Sequence, residues 1–567
     1  MINTNLKLLF KSNFFLLTLI SLISGCKGSK FESASLAGGP NDPLTKYAWH
    51  ILNTGQNIFA TTPAVSGNDL NLIKTWSNKI YGKNIWIQIS DDGLEDTHED
   101  LQANFSYFNT SKNYTLASPF TATTSRPIAS TDNHGTCVAG LAAAVGGNKF
   151  GSSGIAPRAR LSIANFLSDS VTQTTAKYLD QATGDFDISN MSWGTTQNTL
   201  TALDSTYNAQ IKSLISTKRS GLGTIFVKAA GNNYAVLCNG SSTVYCIGNS
   251  NFDGDNVMPY MIVVGALNST GTSSSYSSPG SDLWISTFGG EFGYDSPAMI
   301  TTDRSGCTLG YATSVDSVAF EKGTSQENSN CNYTSTFNGT SAASPIVAGT
   351  VALMLEANPN LNWREVKYIL AKTATVSNYE TGTLFHPIST MPASYVWEQK
   401  WITNAAGYKF QNWYGFGRIN IDAAVAMAKD MISTPFDLGT YTETNWSQTN
   451  TGLSLPIPDF SATGVTNAIV VTTDLTVEAV QIRVAATHSD ISELALELTS
   501  PAGTKSILVN GRNSLTGIAN YTNETFISNA FYQESTVGTW TLKVVDTKSG
   551  VTGTLTSFGI NFIGGSH

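Results

Sequence analysis

The sequence predicts an α/β protein, a doubly wound parallel sheet, followed by an all-β sandwich. From about residue 49 to residue 430, short β-rich runs alternate with longer helical patterns, which implies a parallel sheet covered on both faces. After about residue 435 helical periodicity stops, and short alternating strands separated by turn clusters such as Ser500-Pro501-Ala502-Gly503 take over, the pattern of a sandwich of roughly 130 residues. The expected domains are 41–435 for the α/β unit and 436–567 for the sandwich, behind an export segment at 1–25 and a small polar tether at 26–40.

In the first unit the expected strands are 85–89, 161–164, 188–191, 224–227 and 261–264, each a short run rich in β-branched or apolar residues. Binding and chemistry should sit at their carboxyl ends. In the second unit 480–484, 494–498 and 540–544 alternate apolar with polar residues, as half-buried strands do.

Composition agrees with two folded cores. The 567 residues are 41% apolar and only 13% charged, and 49 glycines imply many tight turns. A net charge of -9, with no run of lysines and arginines, excludes a nucleic-acid footprint. Near the N-terminus Lys7 and Lys11 precede the apolar stretch 14–23, which suits a signal-peptide core. The following Ser24-Gly25-Cys26 resembles a bacterial lipobox, with Cys26 as the lipidated residue. Ordinary secretion, with Cys26 in a discarded peptide, is the alternative. Lys27 rather than Asp after the cysteine points to the outer membrane or cell surface, with membrane contact only through the lipid.

Of the other five cysteines, Cys238 with Cys246 and Cys307 with Cys331 would each close a short loop. That leaves Cys137 as a buried thiol.

Three segments carry chemistry. Strand 85–89 runs into Ser90-Asp91-Asp92-Gly93, which places a carboxylate at the end of a buried strand, where it can orient a histidine or simply turn the chain. Asn133-His134-Gly135-Thr136 opens a helix rich in small residues, with His134 at its entrance as catalytic base or as cap. Gly339-Thr340-Ser341-Ala342-Ala343-Ser344-Pro345 precedes a long apolar run. Ser341 therefore lies at a helix N-terminus, where the dipole favours developing negative charge, and its alternative role is that of an N-cap.

In this order the three motifs match the signatures of the subtilisin-like serine peptidases, and chain order discriminates between triads on different folds. The resemblance implies Asp91, His134 and Ser341 as catalytic triad and Asn232, in Lys228-Ala229-Ala230-Gly231-Asn232, as oxyanion donor. Ser192-Trp193-Gly194 matches the strand that pairs with extended substrate. Trp413-Tyr414-Gly415-Phe416-Gly417, the doubled acid Asp91-Asp92 and the C-terminal landmarks His488, Leu498-Thr499-Ser500-Pro501 and Gly538-Thr539-Trp540 resemble the kexin and furin branch, whose β-sandwich is called the P domain. Family positions also imply a structural Ca²⁺ held by Asp42, Asp100 and Asn148, with backbone carbonyls near Val145, Phe150 and Ser152.

Two departures temper the likeness. Thr195-Thr196-Gln197 stands where convertases carry acids, whereas Asp253 and Asp92 match two members of the acidic cluster; a preference for cleavage after basic residues is expected to be weakened. About fifteen residues between Cys26 and Asp42 are too few for an inhibitory folding domain, which implies a chaperone or inhibitor in trans, or none. The expected partners are protein or peptide substrates. An inactive adhesin using the sandwich, or a processing protease for exported proteins, are the rival readings.

Overall fold

The computed structural model describes residues 39–105, 111–122, 126–195, 199–237, 245–379 and 391–567. The export segment, Cys26, Cys238 and Gln197 lie outside the described residues.

Six parallel strands form the central sheet in the order Arg160–Ala164, Trp86–Ser90, Ile188–Met191, Ile225–Ala229, Met261–Leu267 and Ile285–Phe288. Nearly every residue of these strands is buried, as continuous apolar runs in a parallel sheet require. The strand Ile285–Phe288 escapes sequence reading because Ser286 and Thr287 interrupt its apolar character; both are fully buried.

The helix Thr340–Ala357 packs on five of these strands and against the helix His134–Ala143. Its mean hydropathy of 1.3 would suit a membrane span, but 89% of it is buried within the protein. It is a core helix. Pro345, the sixth residue of the helix, cannot donate back to the Ser341 carbonyl, and that carbonyl instead accepts from Ser192 Oγ at 2.9 Å.

The C-terminal part is a sandwich of two antiparallel sheets. One orders Thr440–Glu443, Gly553–Ser566, Thr476–Thr487 and Tyr521–Ser528, with Gln448–Asn450 and Leu455–Ile457 also on the long strand Gly553–Ser566. The other orders Val465–Val471, Gly538–Asp546, Leu494–Thr499 and Lys505–Val509. Trp540, Phe526, Phe558 and Phe562 fill the space between them.

The sandwich joins the α/β unit through buried polar contacts. Arg364 Nε donates to both Glu478 oxygens at 2.9 and 3.0 Å, and Arg364 Nη1 donates to the Gly439 carbonyl. The Asn529 amide donates to the Asp282 carbonyl at 2.7 Å, and Ile527 N–H donates to Asn251 Oδ1 at 2.9 Å. A buried Arg–carboxylate contact on this scale fixes orientation because either charge alone would be costly to bury.

Candidate active site

Asp91 follows directly on the strand Trp86–Ser90 and is fully buried. Its backbone continues the sheet, with N–H donating to Ala164 and carbonyl accepting from Leu167, both at 2.9 Å. The carboxylate thus has a fixed direction. His134 opens the helix His134–Ala143, and its Nδ1 lies 2.9 and 3.0 Å from the two Asp91 oxygens. Nδ1 therefore carries the proton, which leaves Nε2 as the basic nitrogen. Phe337 packs against the imidazole at a centroid distance of 5.3 Å.

The second acid of the pair has a role the sequence did not disclose. Asp92 accepts the backbone N–H groups of His134 and Gly135 at 2.9 and 2.7 Å, so it caps the very helix that carries the histidine. Burial and the neighbouring Asp91 charge raise its pKa. Burial alone would lower the His134 value, but the charge and hydrogen bond of Asp91, with the charge of Asp92, outweigh it and raise the imidazole to about 9.

Ser341 sits in the first turn of the helix Thr340–Ala357 and is 8% exposed. Its hydroxyl donates to the Ser192 carbonyl at 3.0 Å. Ser192 is itself held by a network: its Oγ donates to the Ser341 carbonyl at 2.9 Å, accepts from the Asn190 amide at 2.9 Å and meets Ser344 Oγ at 2.8 Å. Asn190 and Ser344 are buried supports that sequence reading passed over. Only their position, Asn190 two residues before Ser192 and Ser344 within the Ser341 motif, could have flagged them.

Asn232 lies beside this turn. Its Oδ1 accepts the N–H and Oγ1–H of Thr340 at 2.8 and 2.9 Å, which turns the amide NH₂ outward. Gly339 holds φ at +105°, and a Cβ there would come within 3.1 Å of Asn232 Nδ2. Only glycine fits a left-handed backbone so close to the amide.

Gly194 forms the other wall. A Cβ on it would fall 2.7 Å from Asp253 Oδ2 and 3.2 Å from Lys228 Nζ. Asp253, expected to meet a basic side chain of the substrate, is instead engaged by this chain's own lysine at 3.0 Å. Asp253 Oδ2 also accepts Thr195 N–H, and Oδ1 accepts Asp255 N–H, both at 3.0 Å.

The expected cation residues come together as well. Asp42 accepts from Gly147 N–H, Lys149 N–H and Ser153 Oγ. Asn148 Nδ2 donates to Asp100 Oδ1 at 2.8 Å, and its Oδ1 accepts from Phe150 N–H. Val145 N–H donates to the Asp100 carbonyl at 2.8 Å. Asp100 Oδ2 and Ser152 Oγ are buried without a hydrogen-bond partner. Burial, with the Asp42 charge added, raises the Asp100 carboxyl to about 8 against the pull of the Asn148 hydrogen bond.

A second set of metal-ligand types lies in the sandwich, where His488, Glu493 and Asp546 offer buried atoms within 4.8 Å of one another. Lys548 already pairs with Glu493, and His488 Nε2 is 3.4 Å from Asp546. Cys307 and Cys331 are bonded to each other, Cys246 is disulfide-bonded, and Cys137 is free and buried. Burial, with the Asp303 charge nearby, pushes the Cys137 thiol well up, so it is not a nucleophile.

The site fixes a pH dependence. If His134 is the base that takes the Ser341 proton, its Nε2 must be unprotonated, so kcat/KM of the wild type should keep climbing through the alkaline range rather than level off near pH 7. Asp92→Asn removes one of the charges that raise the imidazole and should move the limb to lower pH. Because the folded value exceeds the unfolded one, near ~6.5, the same contacts add stability below that pH and lose it as pH rises through about 9. A profile on a chromogenic peptide that is flat above pH 7 in both proteins would contradict the assignment.

Comparison with known proteins is consistent with this geometry. The sequence profile of the subtilase family matches residues 82–417, and that of the proprotein convertase P-domain matches residues 477–562. The Aeromonas extracellular serine protease of Aeromonas sobria is 34% identical over 90% of this chain and 85% of its own length. Furin-1 of Xenopus laevis is 27% identical over 92% of this chain and 58% of its own. The crystal structure of the Aeromonas sobria serine protease in complex with a chaperone has a TM-score of 0.83 to this chain at 32% identity, covering 93% of this chain and 95% of that one. The chain thus belongs to the subtilase family, in its kexin-like branch with a proprotein convertase P domain, and is a subtilisin-like serine endopeptidase.

Proposed function

We propose that this endopeptidase hydrolyses exported or extracellular proteins through an acyl-enzyme on Ser341, with His134 as base, Asp91 as its orienting partner and Asn232 as oxyanion donor. The observation that carries the reading is the two-oxygen contact of Asp91 with His134 Nδ1, beside a serine at a helix N-terminus. To react, the Ser341 hydroxyl leaves the Ser192 carbonyl and turns to Nε2, which takes its proton as Oγ attacks the scissile carbonyl. The oxyanion then meets the outward Asn232 amide and the Ser341 backbone N–H; one such donor is worth about 10²–10³ in rate. His134 returns the proton to the leaving amine, and water repeats the sequence to release the acid. Ser341→Ala should lower kcat on a peptide substrate by about 10⁴-fold or more, with an unchanged circular dichroism spectrum. Near-native turnover in that variant would remove Ser341 from the mechanism.

Location outside the cytoplasm is supported by the signal-like segment 14–23 and by the description of the Aeromonas sobria relative as extracellular. A lipid on Cys26 rests on the Ser24-Gly25-Cys26 motif alone. A chaperone acting in trans is supported by the complex in which the Aeromonas sobria protease was crystallised. A basic-residue preference, resting on Asp92 and Asp253, is weakened by the protein donors that already engage both acids.

The cluster of Asp42, Asp100, Asn148 and Ser152 fits a calcium ion. Its orphaned Asp100 oxygen and Ser152 hydroxyl are oxygen donors of the kind Ca²⁺ takes, and a divalent charge would stabilise two neighbouring carboxylates. The ion would supply structural cross-linking, not chemistry. Without it, the raised Asp100 value makes the fold lose stability as pH rises from the unfolded carboxyl value, ~3.9, to about 8. Chelation should therefore lower Tm more at pH 8 than at pH 5, and excess Ca²⁺ should restore it. Asp100→Ala should blunt the response; a Tm indifferent to chelator at both pH values would contradict the site.

A further inference from the structure

A charged side chain buried in an otherwise apolar central strand is the most unusual residue near the active site. Lys228 lies in the strand Ile225–Ala229, four residues before Asn232, and its side chain is 0% exposed. Lysine is almost never fully buried unless it is paired. Here the ammonium donates to Asp253 Oδ2 at 3.0 Å and to the Trp193 carbonyl at 2.9 Å, and it lies 5.1 Å from the centre of the Trp193 ring.

The pair lies directly against the backbone expected to hold the substrate. It sits behind Gly194, where a Cβ would touch both head groups. Asp253 therefore stands where an acid could meet the residue before the scissile bond, but three N–H donors already solvate it: Lys228 Nζ, Thr195 N–H and Asp255 N–H. A carboxylate offers about four lone-pair sites, so a bidentate guanidinium cannot be accommodated without expelling the lysine. Asp255, the next acid, is committed to the Tyr178 hydroxyl.

We propose that Lys228 is a specificity-determining residue: it acts as a built-in counter-ion to Asp253 and turns a pocket floor that would select arginine or lysine into one that takes a neutral side chain, apolar or amide. This rests on the protease reading above and reverses the selectivity that Asp253 alone would give. An incoming cation would be desolvated against Lys228 without a free acid to compensate it.

The test is a four-member cycle on the full chain, with kcat/KM measured on matched peptides carrying Arg, Gln or Leu before the scissile bond. Active sites are counted in each protein by a fluorophosphonate, so loss of the protease itself is read separately from loss of selectivity. The wild type should cut the Gln and Leu peptides at least as well as the Arg peptide. Lys228→Met bares Asp253 and should raise the Arg/Leu ratio by about tenfold or more. Asp253→Asn bares Lys228 and should lower that ratio by about tenfold. The double variant, again neutral, should return to within about threefold of wild type. Should Lys228→Met fail to fold, as a bare buried acid permits, Asp253→Asn and the double variant still decide. A wild type with a strong Arg preference, or ratios that stay put in titratable single variants, overturns the proposal.

Discussion

The buried helix Thr340–Ala357 is the constraint on which the rest of the molecule depends. It packs on five strands of the parallel sheet and against the histidine helix, so the position of its first turn is set by the core rather than by a loop. That turn presents Ser341, receives Asn232 through Thr340, and locks Ser192 through Ser344. Ser341, Asn232 and Ser192 are therefore registered on one rigid element. Pre-organisation of this kind is what allows fixed dipoles to stabilise a transition state without reorganising.

Around that element, charges are used in pairs with divided tasks. Asp91 orients the His134 ring, while Asp92 caps the helix that carries it. Behind Gly194 the division is different: Asp253 and Lys228 neutralise each other in a buried site. At the junction with the sandwich, Arg364 and Glu478 do likewise, and their bidentate geometry gives the second domain one orientation. Unpaired, any of these charges would cost several kcal/mol to bury.

The active centre was largely legible in the sequence because its motifs combine a strand end, a helix start and a reactive side chain. Asp91 meets His134, and Asn232 meets Thr340 beside Ser341, at the strand end and helix starts where the sequence placed them. The strand Ile285–Phe288 was not legible, since a buried Ser-Thr pair looks like a turn until hydrogen bonds across the sheet are seen. Nor was the environment of Asp253. Its letter suggests a free acid, but Lys228 is twenty-five positions earlier in the chain, and nothing local announces the pairing. The same blindness hid Asn190 and Ser344, whose roles exist only through Ser192.

The central claim is that Ser341 is a nucleophile activated by His134. It is tested most directly by treating the intact protein with a fluorophosphonate and locating the adduct by peptide mass mapping. The account predicts one adduct, on Ser341, formed in wild type and slowed by at least about 10³-fold in His134→Ala. An adduct on another residue, or equal labelling with and without the histidine, would contradict it.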